Sequence, residues 1–291
     1  MAKLSTKYGD SAKHILIFGP PKSGKTELVG NIASEFELVD FDFENGSDTL
    51  LKLPVEYHDN IEVINIPDTR GNPIGIITAL HIVKGNPGTV CDAHGMWNCP
   101  KCKMSGAPVV EVNLGVKNLK KVYCFDSLTQ LTNSAIAHIT RGQPDDYKLT
   151  YDDWGNLGKL MDTFLSYVQQ CPNHIIVISH ETEVEMEDGK MKLVPTAGTR
   201  NFSRNTAKYF GEVYYCEVKN KKHIVASDTG YSNGILTGSR GGHVLETASG
   251  KASLIPILKG EVKNPNPLTQ NTPGHAAAGN LAEKLAAMRN K

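Results

Sequence analysis

Gly19-Pro20-Pro21-Lys22-Ser23-Gly24-Lys25-Thr26 has the spacing Gly-x4-Gly-Lys-Thr, and those residue types at that spacing suit a triphosphate. Glycines let backbone N–H groups turn inward around the β-phosphate, and a helix opening at the end of the motif adds its positive N-terminus. Lys25 would reach the β and γ oxygens, and the Thr26 hydroxyl would offer an oxygen to Mg²⁺. Such a site needs a second carboxylate at the end of a neighbouring apolar strand to hold Mg²⁺ through water. Val122-Tyr123-Cys124-Phe125-Asp126 has that form, which makes Asp126 the candidate; capping a helix that begins at Ser127 is a compatible second role. Hydrolysis also asks for a group that orients and deprotonates water. Asp40, Asp42 and Glu44 alternate through Leu38 to Gly46. Glu44, at the mouth of a turn, is the candidate base, and a solvated strand edge is the other reading of the same alternation.

A second cluster, Cys91-x2-His94-x4-Cys99-x2-Cys102, offers four ligands within twelve residues. Three thiolates and an imidazole suit tetrahedral Zn²⁺. A redox or unligated cluster is the alternative, and the short gap between the two pairs leaves room for a ligand from elsewhere, such as His81. Cys124, Cys171 and Cys216 stand alone in apolar segments and are expected in the core.

Between Lys190 and Lys222 eight basic residues face two acids, a local excess of six in a chain whose 31 Lys and Arg balance 31 Asp and Glu. Arg200, Arg204 and Lys208, with Phe202, Tyr209 and Phe210 beside them as stacking groups, suit a mobile surface for single strands, where phosphates are neutralised and bases stack. A solvated face balancing the acids of 181–188 competes with that reading. Arg240, in Thr237-Gly-Ser-Arg-Gly-Gly, is a candidate to reach a neighbouring copy's γ-phosphate, or an ordinary surface arginine.

These residues must be positioned by an alternating α/β chain. Apolar runs of strand length occur at His14 to Phe18, Phe36 to Phe43, Ile61 to Ile66, Lys121 to Phe125 and His174 to Ser179, with helix-spaced segments between them; the alternation predicts a mostly parallel sheet. Asp153 to Gln170 follows the 3.6-residue period, with Asp152 or Asp153 as its cap. After Glu181, short runs joined by Asp188-Gly189 and Asn220-Lys221 predict hairpins added at the far edge of the sheet. The 291 residues, 40% hydrophobic, are ample for one such domain over residues 1–260, with a zinc insertion at 86–107, a linker at 261–274 and a helical tail at 275–291. The balanced charge excludes a polybasic binder. No apolar stretch approaches a membrane span and the first residues lack a signal-peptide core, so a cytoplasmic location with reduced thiols is expected.

The order of phosphate loop, Asp42-Phe43-Glu44-Asn45-Gly46, Cys124-Phe125-Asp126-Ser127-Leu128-Thr129 and Val177-Ile178-Ser179-His180 resembles the RecA-type P-loop NTPase core, and more narrowly the short phage-encoded RecA-like ATPases that include the Sak-type single-strand annealing proteins. The resemblance covers about His14 to Arg240. It implies ATP and Mg²⁺ as cofactors, Glu44 as catalytic glutamate, Asp126 as the magnesium-site aspartate and His180 as a γ-phosphate sensor; a strand-end histidine bonded to backbone is the plainer role for the last. The function implied is ATP hydrolysis coupled to recombination or annealing of single-stranded DNA by a homo-oligomer in the host cytoplasm. About a dozen residues precede the first strand, so the N-terminal polymerisation segment of larger recombinases is not expected. Two other functions fit the same residues: a switch or loader recruiting single-strand-binding or replication proteins through the zinc module and C-terminal tail, and, with less support, a nucleotide kinase.

Overall fold

The computed structural model describes residues 11–227, 234–243, 245 and 252–261. The expected linker therefore lies outside the described residues except for Glu261, and the expected tail lies wholly outside them.

The first strand, β1 (His14–Phe18), runs into the glycine-rich turn and helix α1 (Lys25–Gly30). β2 (Glu37–Asp42), β3 (Ile61–Asn65) and helix α2 (Gly75–Val83) follow. Strands β4 (Gly88–Cys91) and β5 (Val109–Val112) flank helix α3 (Pro100–Ser105), after which come β6 (Lys121–Asp126), α4 (Leu128–Ile139), α5 (Tyr151–Gln170) and β7 (His174–Ser179). The chain continues through β8 (Glu181–Glu185), β9 (Met191–Pro195), α6 (Arg200–Asn205), β10 (Glu212–Lys219), β11 (Lys222–Ala226) and β12 (Gly238–Ser239).

The main sheet has the order β11-β10-β1-β7-β6-β2-β3, with β12 also pairing β10. From β10 to β3 every neighbour is parallel. The central strands β1, β7 and β6 are largely apolar without alternation because both faces are covered. Leu16, Phe18, Phe41, Phe125 and Val177 pack on the side of α2, α4 and α5, while Ile15, Ile17, Leu38, Val122 and Ile178 pack with Leu28, Val29 and Ile32 around α1. Parallel strands bring their C-terminal ends to one edge, where ligands of open α/β sheets bind. Here the register sets Asp42 opposite Asp126 and Asp126 opposite Ile178.

Two local expectations change. Helix α5 is capped by Thr150, whose hydroxyl accepts the Asp153 N–H at 3.3 Å while Asp153 Oδ2 accepts the Thr150 N–H at 2.7 Å. That reciprocal capping box satisfies two otherwise unpaired donors and starts the helix earlier than an Asp cap would. The strands expected together at the sheet edge also part company. β8 and β9 form a separate antiparallel pair, whereas β10 lies parallel to β1 and turns back antiparallel into β11. Burial explains the difference. β10 contributes Val213, Tyr214, Tyr215 and Cys216 to the interior, whereas of β8 only Val184 is buried among Glu181, Glu183 and Glu185.

Candidate active site

The phosphate loop is a tightly wound turn between β1 and α1. Gly19 has φ +150° and a Cβ there would sit 2.0 Å from the Cys216 carbonyl oxygen, so only glycine lets the loop pass β10. Lys25 is buried at 6% exposure, and its ammonium donates to the carbonyls of Gly19 at 2.9 Å and Pro20 at 2.8 Å. Burial draws its pKa below the usual lysine range, against the pull of Asp126. The loop opens into a cleft of about 690 Å³ that also takes in Glu44, Thr49, Lys52, Asp126, His180 and His223.

Across this cleft the Thr26 hydroxyl donates to Asp126 Oδ2 at 2.8 Å. A hydroxyl and a carboxylate oxygen side by side are a hard, oxygen-only donor pair that suits Mg²⁺. Burial pushes the Asp126 carboxyl up to about 7; the Thr26 hydrogen bond opposes that rise, Glu44 and Asp42 add to it, and Lys25 offsets part of it. A divalent cation at the pair would hold Asp126 ionised. The helix after β6 is capped by Ser127 rather than by Asp126: its hydroxyl accepts the Gln130 N–H at 3.3 Å.

The other carboxylates divide by depth. Asp40 and Asp42 are each 2% exposed, because β2 lies between β6 and β3 rather than at a solvated edge. Burial, with Asp126 and Asp42 nearby, raises the Asp40 pKa well above the carboxylate range. Asp42 builds the following turn: Oδ1 accepts the Glu44 N–H and Oδ2 the Ser47 N–H, both at 2.9 Å. That turn lifts Glu44 into the cleft. Glu44 Oε1 accepts the Ser127 hydroxyl, and Oε2 faces His180 Nε2 at 3.5 Å. His180 is held in turn by the Thr129 hydroxyl, which accepts its N–H at 2.9 Å.

Sequence reading had no role for Asp42, Ser127, Thr129 or His223. Asp42 at two residues before Glu44 is an Asx-turn signal that was legible. The other three depend on contacts between distant segments. His223 on β11 is the clearest case: Nδ1–H donates to the Ser23 carbonyl at 2.9 Å, and its ring lies where a Cβ on Gly24 would be, 2.7 Å away.

At the outer edge of the sheet, Cys91, His94, Cys99 and Cys102 converge with all four ligand atoms within 4.8 Å of one another. His94 Nδ1 lies 3.7, 3.6 and 3.2 Å from the sulfurs of Cys91, Cys99 and Cys102. Bonds of about 2.3 Å to sulfur and 2.0 Å to nitrogen at tetrahedral angles give an N···S edge of roughly 3.6 Å, so the set fits Zn²⁺. His81 is not a member; its ring stacks on Trp97 at 5.9 Å. Cys124, Cys171 and Cys216 are buried and apart from the cluster.

The basic segment is only partly a free surface. Arg200 and Lys208 are exposed, but Arg204 is half-buried and donates to the Glu185 carbonyl. Tyr209 and Phe210 are 5% and 2% exposed and belong to the core, and Phe202 stacks on Tyr209, so these rings are occupied by the fold. Arg240 pairs its backbone N–H with the Gly211 carbonyl, before β10, and its guanidinium donates to the Lys208 carbonyl. β10 is parallel to β1, so Arg240 sits at the sheet end opposite its own phosphate loop, about 16 Å away along a five-residue strand.

Among the described residues no helix is long and apolar enough to cross a membrane. No curated protein matches the sequence. Among solved structures, the crystal structure of the RadB recombinase aligns over 77% of this chain and 83% of that chain, at 11% identity and a TM-score of 0.38. The model of the AAA domain family matches residues 11–248, from the strand before the phosphate loop past the β10–β11 hairpin. This chain, a P-loop NTPase by its loop and by that match, belongs to the AAA domain family.

Proposed function

We propose that the protein is a RecA-like ATPase of the Sak type that hydrolyses ATP while handling single-stranded DNA in recombination or annealing. The observation that carries the reading is the position of Glu44, in the phosphate cleft and locked between the Ser127 hydroxyl and His180. In this reading the loop N–H groups and Lys25 hold the phosphates, and bound Mg²⁺, held at Thr26 and Asp126, neutralises their charge. Glu44 accepts the proton of the attacking water, while Ser127 fixes which oxygen does so and His180 sits where the γ-phosphate state is felt. Exposed Arg200 and Lys208 supply cations for a DNA backbone. A homo-oligomer is part of the proposal because Arg240 lies too far from its own phosphate loop to serve it and would act on a neighbouring copy. The Cys₃His cluster holds a structural zinc ion. A phage origin, action in the host cytoplasm and partner recruitment through the C-terminal tail belong to the same reading.

The test is steady-state ATP hydrolysis with and without single-stranded DNA. Stimulation by DNA, abolished in Glu44→Gln, is the expected result. Phosphate transfer to a nucleoside would instead assign a nucleotide kinase, and tight nucleotide binding with negligible turnover would assign a switch or loader.

A further inference from the structure

The zinc loop is pressed against the strand end that shapes the catalytic turn. Gly95, one residue past the ligand His94, has φ +60°, and a Cβ there would lie 2.7 Å from Ile66 Cα. Its carbonyl accepts the buried Thr78 hydroxyl at 2.9 Å. Between Cys91 and His94, Asp92 Oδ1 accepts the Asn65 N–H at 3.3 Å. These contacts fall on the C-terminal end of β3 and on α2. From there the connection to Glu44 is short: the Ile66 N–H donates to the Asp42 carbonyl at 2.9 Å, and the Asp42 carboxylate holds the Glu44 N–H. Ile66 and Asn65 also wall a polar groove of about 720 Å³ that extends beyond Glu44 and His180.

We propose that the metal-closed loop Cys91–Cys102 is a clasp that positions the catalytic turn: with zinc bound at Cys91, His94, Cys99 and Cys102, Gly95 and Asp92 hold the end of β3, and the end of β3 sets Glu44. This rests on the zinc and Glu44 assignments above. Gly95 is a positioning residue, and its effect belongs to the hydrolytic step. The phosphate loop is insulated from the clasp because β3 is four places from β1 in the sheet, about 19 Å at the usual strand spacing. Loosening the clasp therefore slows turnover and spares nucleotide binding.

The experiment uses the full chain with three variants: Gly95→Ala, a methyl wedge against Ile66; Thr78→Val, which removes a hydrogen bond at nearly constant volume; and Cys99→Ser with Cys102→Ser. Zinc content, kcat and affinity for a non-hydrolysable ATP analogue are measured. A Trp154→Phe background leaves Trp97, which stacks on His81, as the one remaining tryptophan and a fluorescence reporter of the clasp. The expected result is about one zinc per wild-type chain. Gly95→Ala should keep the zinc and lower kcat roughly 5- to 100-fold, as a displaced catalytic group does, with analogue affinity unchanged. Thr78→Val should lower kcat in the same direction by a smaller factor. The double cysteine variant should lose zinc, shift the Trp97 emission and lower kcat. Zinc-bearing wild type with unchanged kcat in both Gly95→Ala and Thr78→Val overturns the clasp, as does a parallel fall of kcat and analogue affinity in Thr78→Val. Folded, active wild type without zinc rejects the zinc assignment itself, and kcat unaffected by Glu44→Gln rejects the base; each failure is thus read separately.

Discussion

Glu44 Oε2 and His180 Nε2 lie 3.5 Å apart across the phosphate cleft. They follow β2 and β7, and Ser127, which donates to the other Glu44 oxygen, follows β6 between them. Three adjacent strand ends thus deliver a carboxylate, a hydroxyl and an imidazole beside the phosphate loop.

Glu44→Gln keeps the turn, since Asp42 bonds the Glu44 backbone rather than its side chain. ATP binding is expected to persist while kcat falls by roughly 10²- to 10⁴-fold, the usual worth of a general base. Lys25→Ala should instead lose binding, because the buried ammonium is part of the cradle itself. Filter binding beside a phosphate-release assay separates the two, and normal turnover in Glu44→Gln would remove that residue from the mechanism.

His180 leads directly into β8, and the Thr196 N–H donates back to the His180 carbonyl at 2.8 Å. A γ-phosphate contact at the ring would bias the β8–β9 hairpin and α6 behind it. Single-stranded DNA should therefore bind more tightly with a non-hydrolysable ATP analogue than with ADP, by about 5- to 150-fold if the coupling is of ordinary size. His180→Ala should erase most of that ratio in anisotropy titrations. Equal affinities in wild type would show that no such switch exists.

Arg200 and Lys208 are exposed, whereas Arg204 is engaged with Glu185, so the first two are the better probes of DNA contact. Replacing both by alanine should weaken binding in either nucleotide state and flatten the slope of log K against log salt by about 1.4, roughly 0.7 for each lost single-strand phosphate contact. An unchanged slope places the DNA elsewhere on the molecule.

Acid stability has a separate origin in the sheet. Burial, reinforced by Lys13, His14 and Lys117, draws the His174 pKa from 6.5 down to about 4, and its Nδ1 accepts the Lys13 N–H at 3.0 Å, a bond the protonated ring could not make. Below pH 6.5 the unfolded chain takes up a proton that the folded chain refuses, so stability is full above 6.5 and falls as the pH drops towards 4. The loss from this group is about 2 kcal/mol between pH 7 and pH 5, out of about 3 kcal/mol for the whole displacement. Urea melts at pH 7 and pH 5 measure it. His174→Asn, which keeps an acceptor for Lys13, should show a smaller difference between the two; an equal difference would assign the acid loss to other groups.

Cys99→Ser should cost the insertion its metal and lower the thermal midpoint, because a ligand set this close together is repelled or left unpaired without a cation. Midpoints measured with and without added zinc check it, and identical values would remove zinc as a structural element.

Much of this protein was written in short stretches of sequence. The apolar runs at His14–Phe18 and His174–Ser179 became strands with those bounds, since residues buried on both faces leave a period-free pattern. Gly-x4-Gly-Lys-Thr marked the phosphate loop because Gly19 and Gly24 take φ angles of +150° and +88° and a side chain at Gly19 would collide with the Cys216 carbonyl. Four candidate ligands within twelve residues marked the Cys₃His cluster that the fold brings together, and Thr150-x-x-Asp153 carried the helix cap in place of an aspartate. Tertiary structure decided what depends on competition between distant segments. β10 rather than β8 took the place beside β1 because it buries more apolar surface, and that choice set His223 over Gly24 and sent Arg240 to the far end of the sheet. Tyr209 and Phe210 joined the core for the same reason. The meeting of Glu44, Ser127 and His180 needed strand order and register, and the pressure of Gly95 on Ile66 needed the insertion's docking onto β3. No local periodicity encodes either, because both arise from surfaces brought together only when the sheet closes.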